Sequence, residues 1–317
     1  MKMVLTELGE HSDFIRKAFP DDEVVIFEGR LNEHELIEAS AGAEVLSVFI
    51  YTPVTERVID SLPSLKLIAT RSVGFDHIAA KHAIERGITV CHVPDYGAHV
   101  VAEHVFALLL ACARRIPEAD AFVKKERKFD FSQFIGLELR DKTLGVVGTG
   151  KIGAAVIDIA LGFGMKVVAY DVYQNKSLAA KFGFCYLPLD EVLAKSDFVT
   201  LHTPLTAETH HMIGDRALTA MKRGSILVNA SRGGVVDSRA LRAALESGHL
   251  WAAGIDVLED EAHPEIDPLL DAPNLIVTPH SAFYTKEVVG RIIRTTIETI
   301  AAFKSGNPVN KVPPEYL

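Results

Sequence analysis

Three side chains with complementary chemistry follow predicted strands in the second half of the chain: Arg232, Glu261 and His280. Taken singly, each has an ordinary explanation: a surface ion pair, a solvated acidic loop and a packed polar residue. Together they form a functional set. An arginine can bind a carboxylate through two parallel hydrogen bonds, and a histidine titrates near neutral pH. A nearby carboxylate orients the imidazole and raises its pKa. The set therefore predicts acid–base chemistry on a substrate that carries a carboxylate.

A glycine-rich turn precedes this set and predicts dinucleotide binding. An apolar run from Thr143 leads into GTGKIG at 148–153; a helix-compatible segment and a second apolar run then end on Asp171. The first glycine would make a tight turn, the second would let a pyrophosphate approach the backbone, and the third would pack the helix on the sheet. The residues predicted to contact the cofactor here are Gly148, Gly150, Lys151, Ile152 and Gly153.

The acid at the end of the second run indicates which dinucleotide binds. Asp171 lies eighteen residues after Gly153, close to the spacing of about 20 residues expected of a carboxylate that binds the ribose 2′-hydroxyl. Because a carboxylate at this place would repel a 2′-phosphate, the sequence predicts NAD rather than NADP as the cofactor.

Strand-like and helix-like stretches alternate through residues 1–96, before the glycine turn, and the alternation resumes after Asp171. This pattern is typical of parallel sheets covered by helices on both faces. We therefore predict an α/β protein of two domains, with the last long helix returning to the first. Residues 1–96 and 286–317 would form one discontinuous domain, and residues 97–285 would form the dinucleotide-binding domain.

Two segments near the start of the second domain suggest contacts beyond one chain. Residues 98–115 are predicted to form a helix that is apolar on nearly every side from Val105 onward. Such a helix must be buried all round, so we expect it to link the domains and to pack against a second subunit in a homodimer. The charged and aromatic segment 116–140 is expected to be an extended excursion and is a candidate subunit arm.

Composition narrows the class of partner. The net charge of −9 over 317 residues argues against nucleic acid and anionic membranes as partners. The longest apolar run, Val105 to Ala113, is too short to span a bilayer, and the N-terminus lacks the pattern of a secretory signal. Three cysteines without metal-like spacing predict reduced thiols and a cytoplasmic protein. No metal site is expected at His202, His210 and His211, because no carboxylate or cysteine stands beside them at ligand spacing.

Four longer motifs carry a family resemblance: HTPLTAETHHMI at 202–213, ILVNASRGGVVD at 226–237, AAGIDVLEDE at 252–261 and LIVTPHSAFYT at 275–285. With the glycine turn, they make the chain resemble the D-2-hydroxyacid dehydrogenases over essentially its whole length. The resemblance implies a Rossmann-type NAD-binding domain inserted into a flavodoxin-like substrate domain. It also implies NAD-dependent interconversion of a small D-2-hydroxy acid and its 2-keto acid.

The resemblance also implies roles for individual residues. Arg232 would bind the substrate, His280 would be the acid–base residue and Glu261 its partner. The backbone around Val73 and Gly74 would bind the substrate carboxylate. The further cofactor contacts implied are Thr203, Pro204, Ala230, Arg232 and Asp256.

Aromatic residues indicate the branch of the family. Tyr96, Phe283 and Tyr51 would line a pocket suited to the methyl group of pyruvate, which favours the D-lactate dehydrogenases. Two departures keep glyoxylate or hydroxypyruvate reductase open as the alternative: Asp95 and Gly97 flank Tyr96, and the loop at 262–274 resembles those of these reductases. An NAD-responsive binding protein, such as a corepressor, is disfavoured by the intact arginine, glutamate and histidine set.

Overall fold

The computed structural model describes residues 1–313, which divide into two compact units. One unit contains Met1–Tyr96 together with the chain from Tyr284 onward, and the other is Gly97–Phe283. Each unit has its own sheet, and every strand pairing within the sheets is parallel. The predicted α/β class is therefore confirmed.

The first unit has a five-stranded sheet in the order β2-β1-β3-β4-β5, the order of flavodoxin-like sheets. Its strands β3 and β4 are buried along their whole length, which explains why they are mainly apolar. The last helix, α12, places Ile293 and Ile300 in one core cluster with Met3 and Leu5 of the first strand. The elements are β1 (Lys2–Leu5), α1 (Ser12–Ala18), β2 (Glu23–Ile26), α2 (Glu33–Ala39), β3 (Val45–Val48), α3 (Glu56–Ser61), β4 (Leu67–Thr70), α4 (Ala80–Glu85), β5 (Thr89–Cys91) and, at the end of the chain, α12 (Lys286–Lys304).

The second unit has a seven-stranded sheet in the order β12-β11-β10-β9-β6-β7-β8. Its elements are α5 (Ala98–Arg114), α6 (Ile116–Glu126), β6 (Thr143–Val147), α7 (Lys151–Gly162), β7 (Lys166–Tyr170), α8 (Lys176–Phe182), β8 (Cys185–Tyr186), α9 (Leu189–Lys195), β9 (Phe198–Leu201), α10 (Asp215–Ala220), β10 (Ser225–Asn229), α11 (Ser238–Glu246), β11 (Leu250–Ile255) and β12 (Leu275–Val277). The direction of winding reverses between β6 and β9. Ligands of such sheets bind outside the carboxyl ends of the strands at this reversal.

Two apolar clusters cover the two faces of this second sheet. Successive residues of a strand point to opposite faces, so Val146 belongs to one cluster and Val147 to the other. Helices α5 and α7 contribute to the first cluster, and α9, α10 and α11 contribute to the second. The sheet is thus buried on both sides, and its polar residues are left at the strand ends.

Helix α5 is covered by its own unit, so its apolar character does not require a second subunit. It packs on α7, β10 and β11. Gly254 of β11 makes this approach possible, because a Cβ there would lie 3.0 Å from the Cβ of Leu108 and 3.4 Å from Cys112 Sγ. Within the residues described, no helix is long and apolar enough to cross a membrane.

The segment 116–140 is not extended throughout, as the sequence had suggested, because it begins with helix α6. Alanine, glutamate and lysine favour this helix, Pro117 suits its first turn, and Lys124 pairs with Asp120 at 2.8 Å. After α6 the chain has no regular element until β6. Phe129 and Phe131 in this stretch are 99% and 89% exposed.

We predict that Gly153→Ala destabilises the apo protein. A Cβ at Gly153 would lie 2.0 Å from the carbonyl oxygen of Gly148, which no side-chain rotation can relieve. Overpacking of this kind costs about 1–3 kcal/mol, measurable by urea denaturation. Gly162→Ala at the end of the same helix is the control: its Cβ would meet nothing within 4 Å, so it should stabilise by about 0.5–1 kcal/mol. Equal stability of the two variants would contradict the close approach.

Candidate active site

The glycine turn between β6 and α7 forms a cradle at the winding reversal. Gly148 has a φ of +93°, and a Cβ on it would lie 2.6 Å from the carbonyl oxygen of His202. Gly153 packs against the carbonyl of Gly148, whereas a Cβ at Gly150 would meet nothing within 4 Å. The first and third glycines are therefore needed for packing, and the second leaves open space at the start of α7, where unpaired N–H groups attract phosphate. The cradle fits a pyrophosphate.

Polar groups around this cradle also fit a nucleotide. Asp171 follows β7, where its carboxylate accepts hydrogen bonds from the backbone N–H groups of Thr149 (2.6 Å) and Tyr173 (2.8 Å). Thr203 follows β9 beside Pro204, and its hydroxyl is buried without a hydrogen-bond partner among residues 1–313. A buried hydroxyl left unsatisfied is the kind of group that a bound ligand can satisfy.

Asn229, the last residue of β10, shapes the loop that carries Ala230 and Arg232. Its side-chain oxygen accepts bonds from the backbone N–H (3.0 Å) and the hydroxyl (2.8 Å) of Ser231, while its amide nitrogen donates to the carbonyl of Arg232 (2.9 Å). The guanidinium of Arg232 in turn donates to the carbonyl of Ser231 at 2.8 Å. Sequence reasoning missed Asn229, although an asparagine that precedes a turn is a signal for such bonds.

The loops that carry Arg232 and Glu261 are in direct contact. A Cβ on Gly233 would lie 2.0 Å from the carbonyl oxygen of Leu258 and 2.5 Å from the backbone nitrogen of Glu259. Only glycine permits this approach. The backbone contact lies one residue from Arg232 and two residues from Glu261, so it fixes the two segments relative to each other.

His280 and Glu261 form the central polar pair of the site. The Nδ1 atom of His280 lies 3.0 and 2.8 Å from the two carboxylate oxygens of Glu261, and the side chains are 22% and 26% exposed. Because a carboxylate can only accept, Nδ1 is the ring nitrogen that donates to Glu261, and Nε2 lies outside this hydrogen bond. The ring of Phe283 meets the imidazole edge-on, with centroids 6.5 Å apart and planes at 78°.

Asp256 holds the turn on which His280 sits. The side chain is 1% exposed and accepts bonds from the Thr278 hydroxyl (2.5 Å) and from the backbone N–H groups of Ser281 and Ala282, both at 2.9 Å. Burial raises the pKa of this carboxyl, but hydrogen bonds from His104, Thr278 and the two backbone groups outweigh it, so the pKa lies below its usual value. The cofactor contact implied for Asp256 stays a prediction; the structure adds a positioning role.

His104 was also missed by sequence reasoning. From helix α5 its Nε2 atom lies 3.0 Å from the Thr278 hydroxyl and 3.4 Å from the carboxylate of Asp256. It therefore braces the same turn from 174 residues away in sequence. No spacing rule connects residues so distant, so only the fold could bring them together.

The predicted substrate loop lies in the first unit, after β4. The hydroxyl of Ser72 donates to the carbonyl of Gly74 at 2.6 Å, and His92 Nδ1 lies 2.9 Å from the carbonyl of Val73. Both contacts are therefore made to backbone carbonyl oxygens of this loop, those of Gly74 and Val73. Tyr51 and Tyr96 belong to the same unit and Phe283 to the other; their substrate roles stay predictions.

The histidines at 210 and 211 have a carboxylate neighbour that sequence spacing could not reveal. Glu259 lies 48 residues away in sequence, yet its Oε2 is 2.7 Å from His211 Nε2, and one ligand atom each of His210, His211 and Glu259 lies within 4.8 Å of the others. The other oxygen of Glu259 accepts the backbone N–H of Ser238 at 2.9 Å. This hydrogen bonding gives the cluster a structural role: it ties the loops after β9, β10 and β11 together.

Comparison with known proteins identifies the family. Residues 106–282 match the family model described as "D-isomer specific 2-hydroxyacid dehydrogenase, NAD binding domain". The chain belongs to this family. It is therefore an NAD-dependent oxidoreductase that acts on CH–OH groups, and the resemblance seen in the sequence is confirmed.

Several relatives of this dehydrogenase carry different names. A glyoxylate reductase of Korarchaeum cryptofilum is 41% identical over 286 residues, which cover 89% of this chain and 85% of the relative. A D-3-phosphoglycerate dehydrogenase of Methanocaldococcus jannaschii is 39% identical over 96% of this chain, which spans 58% of that relative. The crystal structure of an Aquifex aeolicus D-lactate dehydrogenase with NAD and lactic acid has a TM-score of 0.87, with 38% identity over 96% of each chain. These names differ in substrate, so the comparisons establish the reaction class and the NAD cofactor.

We predict that Asp256→Asn destabilises the dehydrogenase by about 2 kcal/mol or more at neutral pH, because it weakens hydrogen bonds to a charged acceptor. The pKa of Asp256 is lowered in the folded protein, so its charge stabilises the fold above about pH 4, and this contribution is lost as the pH falls further. The difference in the free energy of unfolding between the variant and the wild type should therefore shrink below about pH 4. Urea denaturation between neutral and acid pH tests this; a constant difference would contradict it.

Proposed function

We propose that this dehydrogenase reduces pyruvate to D-lactate with NADH and catalyses the reverse oxidation. The observation that carries the catalytic assignment is the hydrogen-bonded pair of His280 and Glu261, in which both carboxylate oxygens lie within 3.0 Å of Nδ1. This pair supplies a group that can donate and accept a proton at a strand end of the NAD-binding unit.

The mechanism assigns one task to each residue of the set. Bound NADH supplies the hydride chemistry. In the reducing direction, protonated His280 holds a proton at Nε2 and donates it to the oxygen at C2 of the keto acid, while Glu261 stabilises the imidazolium through Nδ1. In the oxidising direction, neutral His280 accepts that proton at the same atom. The identity of the acid–base atom thus follows from which nitrogen faces Glu261.

Arg232 is proposed to bind the substrate carboxylate and to polarise the carbonyl. A guanidinium keeps its charge at any physiological pH and presents paired N–H donors to a planar carboxylate. In a protein with a net charge of −9, a local cation of this kind is required to hold an anionic substrate. For Val73 and Gly74 of the first unit, the family resemblance of their loop supports backbone contacts to substrate.

The proposed cofactor contacts follow from the cradle after β6. The residues proposed for the pyrophosphate are Gly148, Gly150, Lys151, Ile152 and Gly153, and Asp171 is proposed for the adenosine ribose. The residues proposed for other parts of the dinucleotide are Thr203, Pro204, Ala230, Arg232 and Asp256. The open space at Gly150 and the unsatisfied hydroxyl of Thr203 support this assignment. The unit at 97–283 would then bind the cofactor, and the unit that holds Val73 would bind substrate.

The choice of pyruvate rests on the apolar side of the site. Phe283 is 8% exposed and lies against the imidazole of His280, which suits a small methyl group next to the reacting carbonyl. Tyr51 and Tyr96 of the first unit are proposed as further substrate contacts. The likeness to a structure that was solved with lactic acid supports the same choice.

Glyoxylate reduction is the second candidate. It is favoured by the 41% identity to a glyoxylate reductase and by the loop at 262–274. Glyoxylate lacks the methyl group of pyruvate. An apolar contact in the pocket would therefore favour pyruvate and would not favour glyoxylate.

A substrate panel tests the proposal. Steady-state kcat/KM with NADH should be highest for pyruvate among pyruvate, glyoxylate, hydroxypyruvate and phenylpyruvate. Contact with one methyl group discriminates by about tenfold or more, so pyruvate should exceed glyoxylate by about that factor. The product should be D-lactate by chiral analysis. A higher kcat/KM for glyoxylate would reject pyruvate as the substrate and favour the second candidate.

The control for the catalytic assignment is His280→Asn, measured with whichever keto acid is preferred. Loss of general acid–base catalysis should lower kcat by about 10²–10⁴-fold, while the Kd for NADH, titrated by fluorescence without keto acid, stays near wild type. If turnover is retained, His280 is not the acid–base residue, whatever the substrate.

We further propose that the enzyme is a cytoplasmic homodimer. Its three cysteines are unpaired, which suits a reducing compartment. Helix α5 is covered within its own unit and does not support dimerisation. The support comes from the stretch after α6, where Phe129, Phe131 and Ile135 are between 75% and 99% exposed. Exposed apolar side chains so close together mark a surface that another protein covers.

Light scattering of the purified protein should therefore give twice the chain mass of 34.6 kDa. The double variant Phe129→Ser, Phe131→Ser should give the mass of one chain, because it removes the apolar contacts. The control is Ile266→Ser, which changes another exposed apolar residue, 72% accessible, and should stay dimeric. A single-chain mass for the wild type would reject the dimer.

A further inference from the structure

A chain of hydrogen bonds ends on Asp171. The hydroxyl of Tyr186, in strand β8, lies 2.8 Å from Thr149 Oγ1, which lies 2.9 Å from Asp171 Oδ2. The backbone N–H of Thr149 donates to the same carboxylate oxygen at 2.6 Å. At the far end, the backbone N–H of Asn175 donates to the Tyr186 hydroxyl at 3.1 Å. None of these contacts involves the glycines of the turn directly.

The direction of every bond in this chain is determined by its ends. A backbone N–H can only donate, and a carboxylate can only accept. The single hydrogen of the Thr149 hydroxyl is used on Asp171, so the Tyr186 hydroxyl must donate to Thr149 and accept from Asn175. Each donor is polarised toward the carboxylate, and such chains strengthen their members cooperatively.

The far end of the chain is rigid. The ring of Tyr186 packs edge-on against Phe184, with centroids 5.1 Å apart and planes at 70°, and it borders the core on the α7 side of the sheet. Asn175 begins helix α8 and accepts the Leu178 N–H with its side chain at 3.0 Å. Thr149 is 6% exposed, between two glycines. The hydroxyls therefore cannot follow a moving carboxylate.

The carboxylate of Asp171 is consequently restrained at both oxygens. Oδ2 takes both bonds from Thr149, and Oδ1 takes the N–H of Tyr173 at 2.8 Å. Since a carboxylate offers about four acceptor positions, Oδ1 keeps one for a ribose hydroxyl. An unrestrained aspartate could rotate away from a 2′-phosphate, whereas this one must keep its charge in place.

We propose that Thr149 and Tyr186 are specificity-determining residues that act through Asp171. By restraining the carboxylate, they make the enzyme reject a 2′-phosphorylated dinucleotide and not merely prefer NAD. This inference rests on the proposed contact of Asp171 with the adenosine ribose. It adds that the hydroxyl chain, together with the two backbone N–H groups, strengthens the discrimination by the charge of Asp171.

The test measures the ratio of the Kd for NADPH to the Kd for NADH by fluorescence titration without keto acid. Thr149→Val keeps the side-chain shape and removes the hydroxyl, so it deletes one charge-assisted bond; the ratio should fall by about tenfold. Tyr186→Phe keeps the hydrogen bond from Thr149 to Asp171 but removes the hydroxyl that donates to Thr149. It should therefore lower the ratio by a smaller factor. Thr149→Ser keeps the hydroxyl and should retain the wild-type ratio.

Tyr173→Phe is the matched control for Tyr186→Phe. It also removes one tyrosine hydroxyl, but this side chain is 86% exposed, and its backbone donor to Asp171 is kept. The ratio should stay at the wild-type value. A general loosening of the nucleotide site would weaken both dinucleotides equally, so a change in the ratio separates specificity from damage. If Thr149→Val does not fold, as judged by circular dichroism, Tyr186→Phe alone decides the outcome.

Asp171→Ala separates failure of this inference from failure of the proposed role of Asp171. If Asp171→Ala lowers the ratio while Thr149→Val and Tyr186→Phe keep it, the hydroxyl chain has no role in specificity and the inference is overturned. If Asp171→Ala also keeps the wild-type ratio, the proposed ribose contact itself fails. A fall in all three variants, with Thr149→Ser and Tyr173→Phe unchanged, is the expected result.

Discussion

The buried carboxylate of Asp256 is the constraint on which the position of His280, and with it the proposed acid–base pair, depends. The carboxylate accepts hydrogen bonds from two backbone N–H groups of the turn after β12. The backbone carbonyl of Asp256 accepts a third, from the N–H of His280 at 2.8 Å. His280 has a φ of +51°, a conformation that non-glycine residues keep only when their surroundings enforce it. Asp256 therefore positions His280, while the segment of Glu261, five residues further along the chain, is held by the backbone contact at Gly233.

A similar arrangement occurs at two other strands of the same sheet. Asn229 at the end of β10 fixes the loop of Arg232, and Asp171 after β7 accepts the N–H of Thr149 in the glycine turn. In each case a polar side chain at a carboxyl end satisfies the backbone groups of a functional loop. These hydrogen bonds restrain the loops, and acid–base and nucleotide-binding geometry requires such restraint. The parallel sheet brings these loops to the carboxyl ends of its strands, and the polar side chains fix the conformation of each loop.

The sequence predicted what depends on local pattern. Apolar runs located the buried strands, and the glycine spacing located the turn before α7. Helices α6 and α8 were missed because they have no fully buried residue and only a weak apolar pattern; in α8, Leu178, Ala179 and Phe182 are partly buried against the core. The bracing contacts were missed for a different reason: His104 and Thr278 are 174 residues apart, and Thr149 and Tyr186 are 37 apart. Their side chains meet only because the fold brings helix α5 and strands that are distant in sequence together.

The contact at Gly233 implies which parts of the site can vary between enzymes of this family. Because the backbone of Gly233 touches Leu258 and Glu259, a shift of the loop that carries Arg232 displaces the segment that carries Glu261. Glu259 reinforces this coupling by binding Ser238 and His211. A substitution that altered substrate choice through either loop would therefore disturb the acid–base pair as well. Substrate choice can change without that cost only where side chains border the pair without bracing it, as Phe283 does.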